Sequence, residues 1–397
     1  MQEKCVVMNL WDQMQAALDE LAAGDLLRSP VVLESPCGPK VRIAGRDVVC
    51  LCSNDYLGLA NDPAVKAAAA DAVARWGVGA GASRLVSGTT TLHVELERRL
   101  AEFKAVQAAV VTPTGWMANH AAIHALAGRG DLILCDKLNH ASIIDAALSS
   151  GARVRTFGHC DAGRLEELLR RHRGRHRRCL IVTDSVFSMD GDLAPLSELA
   201  DLKSQYDAQL LLDEAHATGV MGAAGRGVAE LLGLEDHVDA TVGTLSKAIG
   251  SLGGFVAGPE VLIDTIRNTG RAYIYTTAPP PAVCAAAIAA MDIIRTQPQR
   301  RRRLLELAGD LRDRLRQAGM HVGRSASQII PVVVGEPGRA LEISRRLLAA
   351  GYLVPAIRPP SVPKGTSRLR ISLSAGHDEA DVFGLAELLR SCMRDLC

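Results

Sequence analysis

Lys247 stands in Gly243-Thr244-Leu245-Ser246-Lys247-Ala248-Ile249-Gly250, a segment of small and hydroxyl side chains that runs into Gly253 and Gly254. Upstream, the apolar run Leu210-Leu211-Leu212 ends in Asp213-Glu214-Ala215-His216. A lysine amine can form a Schiff base with an aldehyde. A carboxylate at the end of an apolar strand can pair with a protonated ring nitrogen. Together they are what a pyridoxal phosphate site needs: the amine anchors the cofactor, and the carboxylate keeps its pyridine ring an electron sink.

Read alone, Asp213 also fits a helix N-cap or a structural salt bridge. A buried carboxylate without a partner is costly. An ion pair at about 4 Å in an effective dielectric near 20 is worth roughly 4 kcal/mol before desolvation, enough to keep a pyridine nitrogen protonated near neutral pH. His216, in Ala215-His216-Ala217-Thr218-Gly219, can reach the cofactor's phenolic oxygen. His140 lies in Asp136-Lys137-Leu138-Asn139-His140-Ala141-Ser142, between a strand and a helix, where an imidazole can stack on the ring and touch the substrate. Taken singly, a histidine is more often a satisfied polar residue. A phosphate needs free backbone N–H groups at a helix start. Thr114-Gly115-Trp116-Met117-Ala118-Asn119 follows a strand and opens a helix, although an ordinary strand-to-helix turn would read the same. Thr244, Ser246 and Ser188 add hydroxyls at strand ends. Gly77-Val78-Gly79-Ala80-Gly81-Ala82 follows a helix, not a strand, so it fails the context of a dinucleotide fingerprint. It reads as a loop whose backbone approaches a ligand or another chain.

The elements that must position these groups follow from periodicity. Buried strands are expected at Ala108 to Val111, Leu132 to Cys135, Arg153 to Phe157, Cys179 to Thr183, Gln209 to Leu212, Ala240 to Val242 and Gly254 to Ala257. Helices fall between most of them, at Met117 to Ala127, Ser142 to Leu148, Arg164 to Arg171 and Leu196 to Tyr206. This alternation predicts an α/β fold with a large, mostly parallel seven-stranded sheet and helices on both faces. Ligands then bind beyond the carboxyl ends of the strands, where the residues above fall. The first 30 or so residues read as an amphipathic helix with Met14, Ala17, Leu18 and Leu21 on its apolar face, then a turn at Ser29-Pro30. Lys40 to Leu51 reads as a short β region turning at Gly45-Arg46-Asp47. After Pro279-Pro280-Pro281 the pattern changes to helices at Ala282 to Arg295 and Arg300 to Ala318. A smaller α/β unit follows: strands at Ile329 to Val334, Tyr352 to Val354 and Arg368 to Leu373, helices at Ala340 to Ala350 and Glu379 to Leu396. The expected division is an N-terminal helix and β segment (1–50), a cofactor-binding domain (51–281) and a small C-terminal domain (282–397).

A net charge of +1 over 397 residues argues against nucleic acid or an anionic membrane as the main partner. The arginine runs Arg170 to Arg178 and Arg300 to Arg303 continue leucine-spaced helices and read mainly as solvated faces. The ten cysteines form no disulfide or zinc framework, Cys50 and Cys52 being the only close pair. They read as reduced thiols of a cytosolic protein. Met1-Gln2-Glu3-Lys4 has no signal-peptide pattern, and the Ala-rich stretch Ala282 to Met291 is too short to span a bilayer.

Further motifs fall in one order: Asn54-Asp55-Tyr56-Leu57-Gly58-Leu59, Ser83-Arg84-Leu85-Val86-Ser87-Gly88-Thr89 with His93 and Leu96-Glu97, the His140 segment, Phe187-Ser188-Met189-Asp190-Gly191, Asp213-Glu214-Ala215-His216 and Ser246-Lys247. As an ordered set over nearly the whole chain, they resemble the α-oxoamine synthase family of fold-type I pyridoxal phosphate enzymes. The resemblance implies Lys247, Asp213 and His140 as catalytic residues, with His140 stacked on the ring. It implies Gly115, Trp116, Ser188, His216 and Thr244 at the cofactor, and Arg28, Asn54, His140, Ser361 and Arg370 on the substrate side. Asp184 stands where the family commonly has Glu, and Trp116 where it has a smaller aromatic.

The segment Ala356-Ile357-Arg358-Pro359-Pro360-Ser361-Val362-Pro363-Lys364-Gly365-Thr366-Ser367-Arg368-Leu369-Arg370 resembles members that condense L-alanine with a pimeloyl thioester. The reaction so implied is decarboxylative, with Lys247 taking the α-proton and Arg370 gripping the amino acid carboxylate by a forked pair of hydrogen bonds. Members that use glycine and acetyl-CoA are the nearest competitors. An aminotransferase would share fold and lysine but release no free thiol. A non-catalytic partner subunit would lack the lysine. The resemblance also implies a homodimer in which Gly77 to Ala82 and Tyr273 to Thr277 reach the neighbour's site.

Overall fold

The computed structural model describes residues 8–395. In chain order its strands are β1 (Lys40–Ile43), β2 (Arg46–Cys50), β3 (Ala108–Thr112), β4 (Leu132–Asp136), β5 (Arg153–Phe157), β6 (Cys179–Asp184), β7 (Gln209–Asp213), β8 (Ala240–Thr244), β9 (Gly254–Gly258), β10 (Ile329–Gly335), β11 (Tyr352–Leu353), β12 (Ala356–Ile357) and β13 (Ser367–Ser372). Seven form the large sheet, in the order β3-β9-β8-β7-β6-β4-β5. From β5 to β8 every pairing is parallel, while β9 runs antiparallel to both β8 and β3. Helices cover both faces, so the inner strands carry unbroken apolar runs rather than alternating ones. Successive side chains go to opposite layers: Leu132, Leu134, Ile181, Leu210 and Leu212 join one core cluster, and Ile133, Cys135, Leu180, Val182 and Leu211 the other. At one edge, β5 carries Arg153 and Arg155, charges that discourage pairing with another chain.

Because β4, β6, β7 and β8 are parallel, their carboxyl ends gather Asp136, Asp184, Asp213 and Thr244 along one rim. Asp184 sits in register with Asp213, and Asp213 with Val242. Lys247 lies on the connection that reverses the chain from β8 into β9. Gly250 makes that reversal possible: its φ is +70°, and a Cβ there would lie 2.4 Å from the backbone nitrogen of Ala60. Only glycine lets the lysine loop pack so closely on the segment after Tyr56.

Two smaller three-stranded sheets complete the fold, β1-β2-β11 and β10-β13-β12. The strand β11 pairs parallel with β2, so the N-terminal hairpin is built into the C-terminal region. That hairpin turns at Ala44 and Gly45, both at positive φ, and Arg46 and Asp47 already belong to β2, so the turn falls one residue earlier than the sequence suggested. The expected first helix spans Leu10–Ala23, shorter than its apolar pattern implied, and buries no side chain: Leu10, Trp11, Met14, Leu18 and Leu21 are all exposed. Periodicity located that apolar face correctly but could not show that nothing among the described residues covers it. Several elements were not foreseen, among them the π-helical turn Arg84–Gly88 and the helices Thr91–Lys104, Val228–Leu232 and Glu260–Thr269. The eight described cysteines are all free; Cys5 and Cys397, like Leu396 at the end of the last expected helix, lie outside the described residues.

Candidate active site

A cavity of about 180 Å³ opens at the rim of the large sheet. Gly115, Trp116, His140, Asp213, His216, Thr244 and Lys247 all line it, with Asn119, Ser142, Asp184 and Ser246 between them. At one end is the start of the helix Gly115–Leu126, capped by Thr114, whose Oγ1 accepts from the N–H of Met117 at 3.2 Å. First-turn N–H groups have no acceptor inside a helix and favour an anion. The Thr244 and Ser246 hydroxyls lie 2.8 Å apart beside it, and a Cβ on Gly115 would stand 3.5 Å from Thr244. Trp116 meets His140 edge-on, ring centroids 6.1 Å apart, and remains 43% exposed at the mouth.

At the other end Asp213 is 5% exposed and held from two sides. Its Oδ1 accepts from the N–H of Ala215 at 2.8 Å, and its Oδ2 accepts from Asn119 Nδ2 at 2.8 Å. Asn119 also donates to Ser142 Oγ at 2.9 Å, which ties the carboxylate to the start of the helix after His140. An anion cradle, an amine and a fixed carboxylate around one cavity suit a pyridine ring carrying a phosphate and an aldehyde.

Lys247 Nζ lies 3.0 Å from His216 Nε2, and His216 Nδ1 lies 2.6 Å from the Tyr56 hydroxyl. Tyr56 has one proton, which it donates to Asn54 Oδ1 at 3.0 Å. His216 then donates from Nδ1 to the tyrosine oxygen, and Nε2 is left to accept from the lysine. Burial, reinforced by the charges of Lys247 and Arg370, holds the His216 pKa well below its usual value, so the ring is neutral in this role. Burial likewise lowers the Lys247 pKa to about 8, against the opposing pull of Asp213 and Asp184. Burial, with Asp213 alongside, pushes the Asp184 carboxyl well up, and it accepts from the N–H of His140 at 2.8 Å. The pKa of His140 is lowered, again chiefly by burial. Only a neutral amine attacks an aldehyde. The rate at which cofactor-free protein takes up pyridoxal phosphate covalently should therefore rise with pH and reach half its maximum near pH 8, at the depressed lysine pKa. Stopped-flow absorbance checks this; a midpoint near 10.4, the ordinary lysine value, would contradict it.

Two of the residues expected on the substrate side, Arg370 and Asn54, bond to each other beside this centre. Arg370 donates from Nη2 to Asn54 Oδ1 at 3.3 Å and from Nε to the carbonyl of Ser188 at 2.5 Å. Ser188 thus meets the arginine through its backbone and is not among the residues lining the cavity. Arg28 and Ser361 lie outside that lining too. Arg28 donates to the carbonyl of Pro359 at 3.1 Å, and the N–H of Ser361 donates to Arg358 O at 3.1 Å.

The sequence reading gave no role to Tyr56 or Asn119, although both fell in segments it singled out. Asn119 is four residues past Gly115 on the same helix, the spacing that puts it on the same face. Behind the site lies a pair it missed altogether. Glu214 is buried and accepts from the N–H groups of Val228 (3.0 Å) and Ala229 (3.1 Å). Lys104 donates to Thr218 Oγ1 at 3.0 Å and faces the Glu214 charge. This anchors the loop carrying Asp213 and His216. At Gly227 φ is +141°, and a Cβ would fall 1.7 Å from Glu214 Oε2. Gly227→Ala should therefore lower stability by more than about 3 kcal/mol, measured as the urea midpoint at unchanged m-value.

The family profile Aminotransferase class I and II matches residues 46–389. The 8-amino-7-oxononanoate synthase of Geobacter sulfurreducens is 50% identical over 367 residues, 92% of this chain and 94% of its own. That of Anaeromyxobacter dehalogenans strain 2CP-1 is 48% identical over 385 residues, 97% of this chain and 96% of its own. Among solved structures, a serine palmitoyltransferase from S. paucimobilis with bound PLP and myriocin superposes with a TM-score of 0.92 at 33% identity, over 98% of this chain and 99% of that one. The fold is thus that of a fold-type I pyridoxal phosphate enzyme, and pyridoxal phosphate is the cofactor. The chain belongs to the aminotransferase class I and II family and, within it, to the 8-amino-7-oxononanoate synthases.

Proposed function

We propose that the chain condenses L-alanine with a pimeloyl thioester, carried by coenzyme A or an acyl carrier protein, and releases carbon dioxide and free thiol to give 8-amino-7-oxononanoate, a step of biotin synthesis. The observation that carries this reading is the half-buried Lys247 amine, 3.0 Å from a neutral His216 and in one cavity with Asp213, in a chain about half identical to synthases of that name. Bound pyridoxal phosphate supplies the aldehyde and the electron-withdrawing ring that make an amino acid's α-hydrogen acidic. The residues do the rest. Asp213 holds a proton at the ring nitrogen. The helix start at Gly115 and the hydroxyls of Thr244 and Ser246 hold the phosphate. His140, which lines the same cavity, would stack on the ring. The Lys247 amine would take the α-proton, a role suited to a base whose pKa of about 8 is close to working pH. Arg370, braced by Asn54 and Ser188, grips the alanine carboxylate. Arg28 and Ser361 would act on the substrate side.

A homodimer belongs to the same proposal. Val78, Leu85, Val86 and Tyr275 are exposed around the paired segments Ala82–Ser83 and Thr277–Ala278, and the apolar face of the helix Leu10–Ala23 is open to solvent. A second copy would cover both. Among the described residues no helix is long and apolar enough to cross a membrane, which fits the cytoplasmic location we propose.

The experiment assays the purified holoenzyme with L-alanine, glycine and L-serine against pimeloyl, acetyl and palmitoyl thioesters, following thiol release. Fastest turnover is expected with L-alanine and pimeloyl thioester. Preference for any other pair would overturn the assignment of substrates.

A further inference from the structure

Outside the cavity, His159 is caught between two carboxylates. Its Nδ1 lies 3.1 Å from Asp136 Oδ1 and its Nε2 lies 2.9 Å from Asp192 Oδ2. The ring packs edge-on against Phe187, centroids 4.4 Å apart. Asp136, Cys160 and His159 are close enough together to suggest a metal site. The sulfur, however, lies 3.8 and 3.7 Å from the two ring nitrogens, so it sits over the ring face, where no nitrogen lone pair points. Both nitrogens already face carboxylate oxygens. The arrangement is that of an imidazolium donating twice. Burial works against that charge, but the two carboxylates prevail and push the histidine pKa up to about 12.

The two carboxylates belong to different parts of the site. Asp136 ends β4 and also accepts from the N–H groups of Leu138 (2.8 Å) and Cys160 (2.7 Å), which shapes the segment leading to His140. Asp192 closes the turn that starts at Phe187: the Phe187 N–H donates to Asp192 O at 3.0 Å, and the Gly191 N–H donates to Phe187 O at 2.8 Å. That turn carries the Ser188 carbonyl that fixes Arg370 Nε, and Asp190, which pairs with Arg368. From the far side, Ser327 Oγ donates to Gly191 O at 2.8 Å and Arg324 lies 3.4 Å from Asp192 Oδ2.

We propose that His159 is a positioning residue: by donating to Asp136 and Asp192 at once, it locks the segment that presents His140 to the turn that braces Arg370, and so sets the amino acid subsite without touching substrate. This rests on the reading of His140 and Arg370 as cofactor- and carboxylate-binding groups. Glutamine at 159 is uncharged and has a single donor nitrogen, so it cannot meet the two carboxylates from opposite sides as the two ring nitrogens do.

The test compares wild type, His159→Gln and Asp192→Ala as holoenzymes by hydrogen–deuterium exchange and by alanine binding, followed in the visible spectrum. In His159→Gln, exchange should rise at least about tenfold in peptides spanning 137–142 and 186–193, with β6 and β7 unchanged, as expected for loss of one charge-assisted hydrogen bond. The dissociation constant for L-alanine should rise by a similar factor while kcat falls by less than about threefold. Asp192→Ala should loosen 186–193 alone. Unchanged exchange, a uniform rise across the whole sheet, or unaltered alanine affinity in His159→Gln would overturn the proposal. Should wild type itself not respond to L-alanine, the substrate reading falls, while the local exchange pattern still supports the tie.

Discussion

Lys247→Ala should bind pyridoxal phosphate reversibly and turn over at least about a thousandfold more slowly than wild type, since a positioned base alone contributes roughly 10²–10⁴ in rate. Binding should survive because the helix start at Gly115, the Thr244–Ser246 pair and Asp213 do not depend on the lysine for their placement: each is held by its own backbone or side-chain partners. Lys247 Nζ makes its polar contact with His216, which keeps its own bond to Tyr56. The fold should therefore persist, and dialysis should strip the cofactor from the variant but not from wild type. Thiol release and absorbance after dialysis are the two measurements. A variant that keeps more than about a tenth of the wild-type rate would remove the lysine from the chemistry.

The second large effect is expected at Asp213→Asn. An ion pair worth roughly 4 kcal/mol is lost, and at 1.36 kcal/mol per decade kcat should fall by about a thousandfold. The substitution is gentle on the fold. The new amide's oxygen can still accept from the N–H of Ala215, and the Asn119 amide can turn over to offer Oδ1, which has no partner in the present arrangement. Ser142 can then donate where it now accepts. Cofactor should stay bound with a blue-shifted spectrum as the ring nitrogen loses its proton. A loss of less than about tenfold, at full cofactor occupancy, would mean that the ring proton is not needed.

The large sheet was legible because its strands are short apolar runs buried on both faces, and buried strands carry their signal in composition. The site was legible for a related reason: Asp213, His140, Thr244 and Gly115 each follow such a run, and parallel strands bring their carboxyl ends together. The helix Thr91–Lys104 was hidden because most of its charged side chains pair with one another on its own surface, as Glu95 does with Arg98 and Arg99, leaving only a thin apolar stripe. Tyr56 and Lys104 were hidden for another reason. Their partners, His216 and Glu214, are more than a hundred residues away, and nothing local marks a hydroxyl or an amine as the far half of a pair. The antiparallel β9 also could not be read from its composition, since a buried strand looks the same in either direction.

These effects converge on one nitrogen. Borohydride reduction of the holoenzyme followed by peptide mapping tests it most directly. A single pyridoxyl group should be found on the peptide containing Lys247. Label on any other lysine, or no label on a protein that still releases thiol from pimeloyl thioester, would contradict the account.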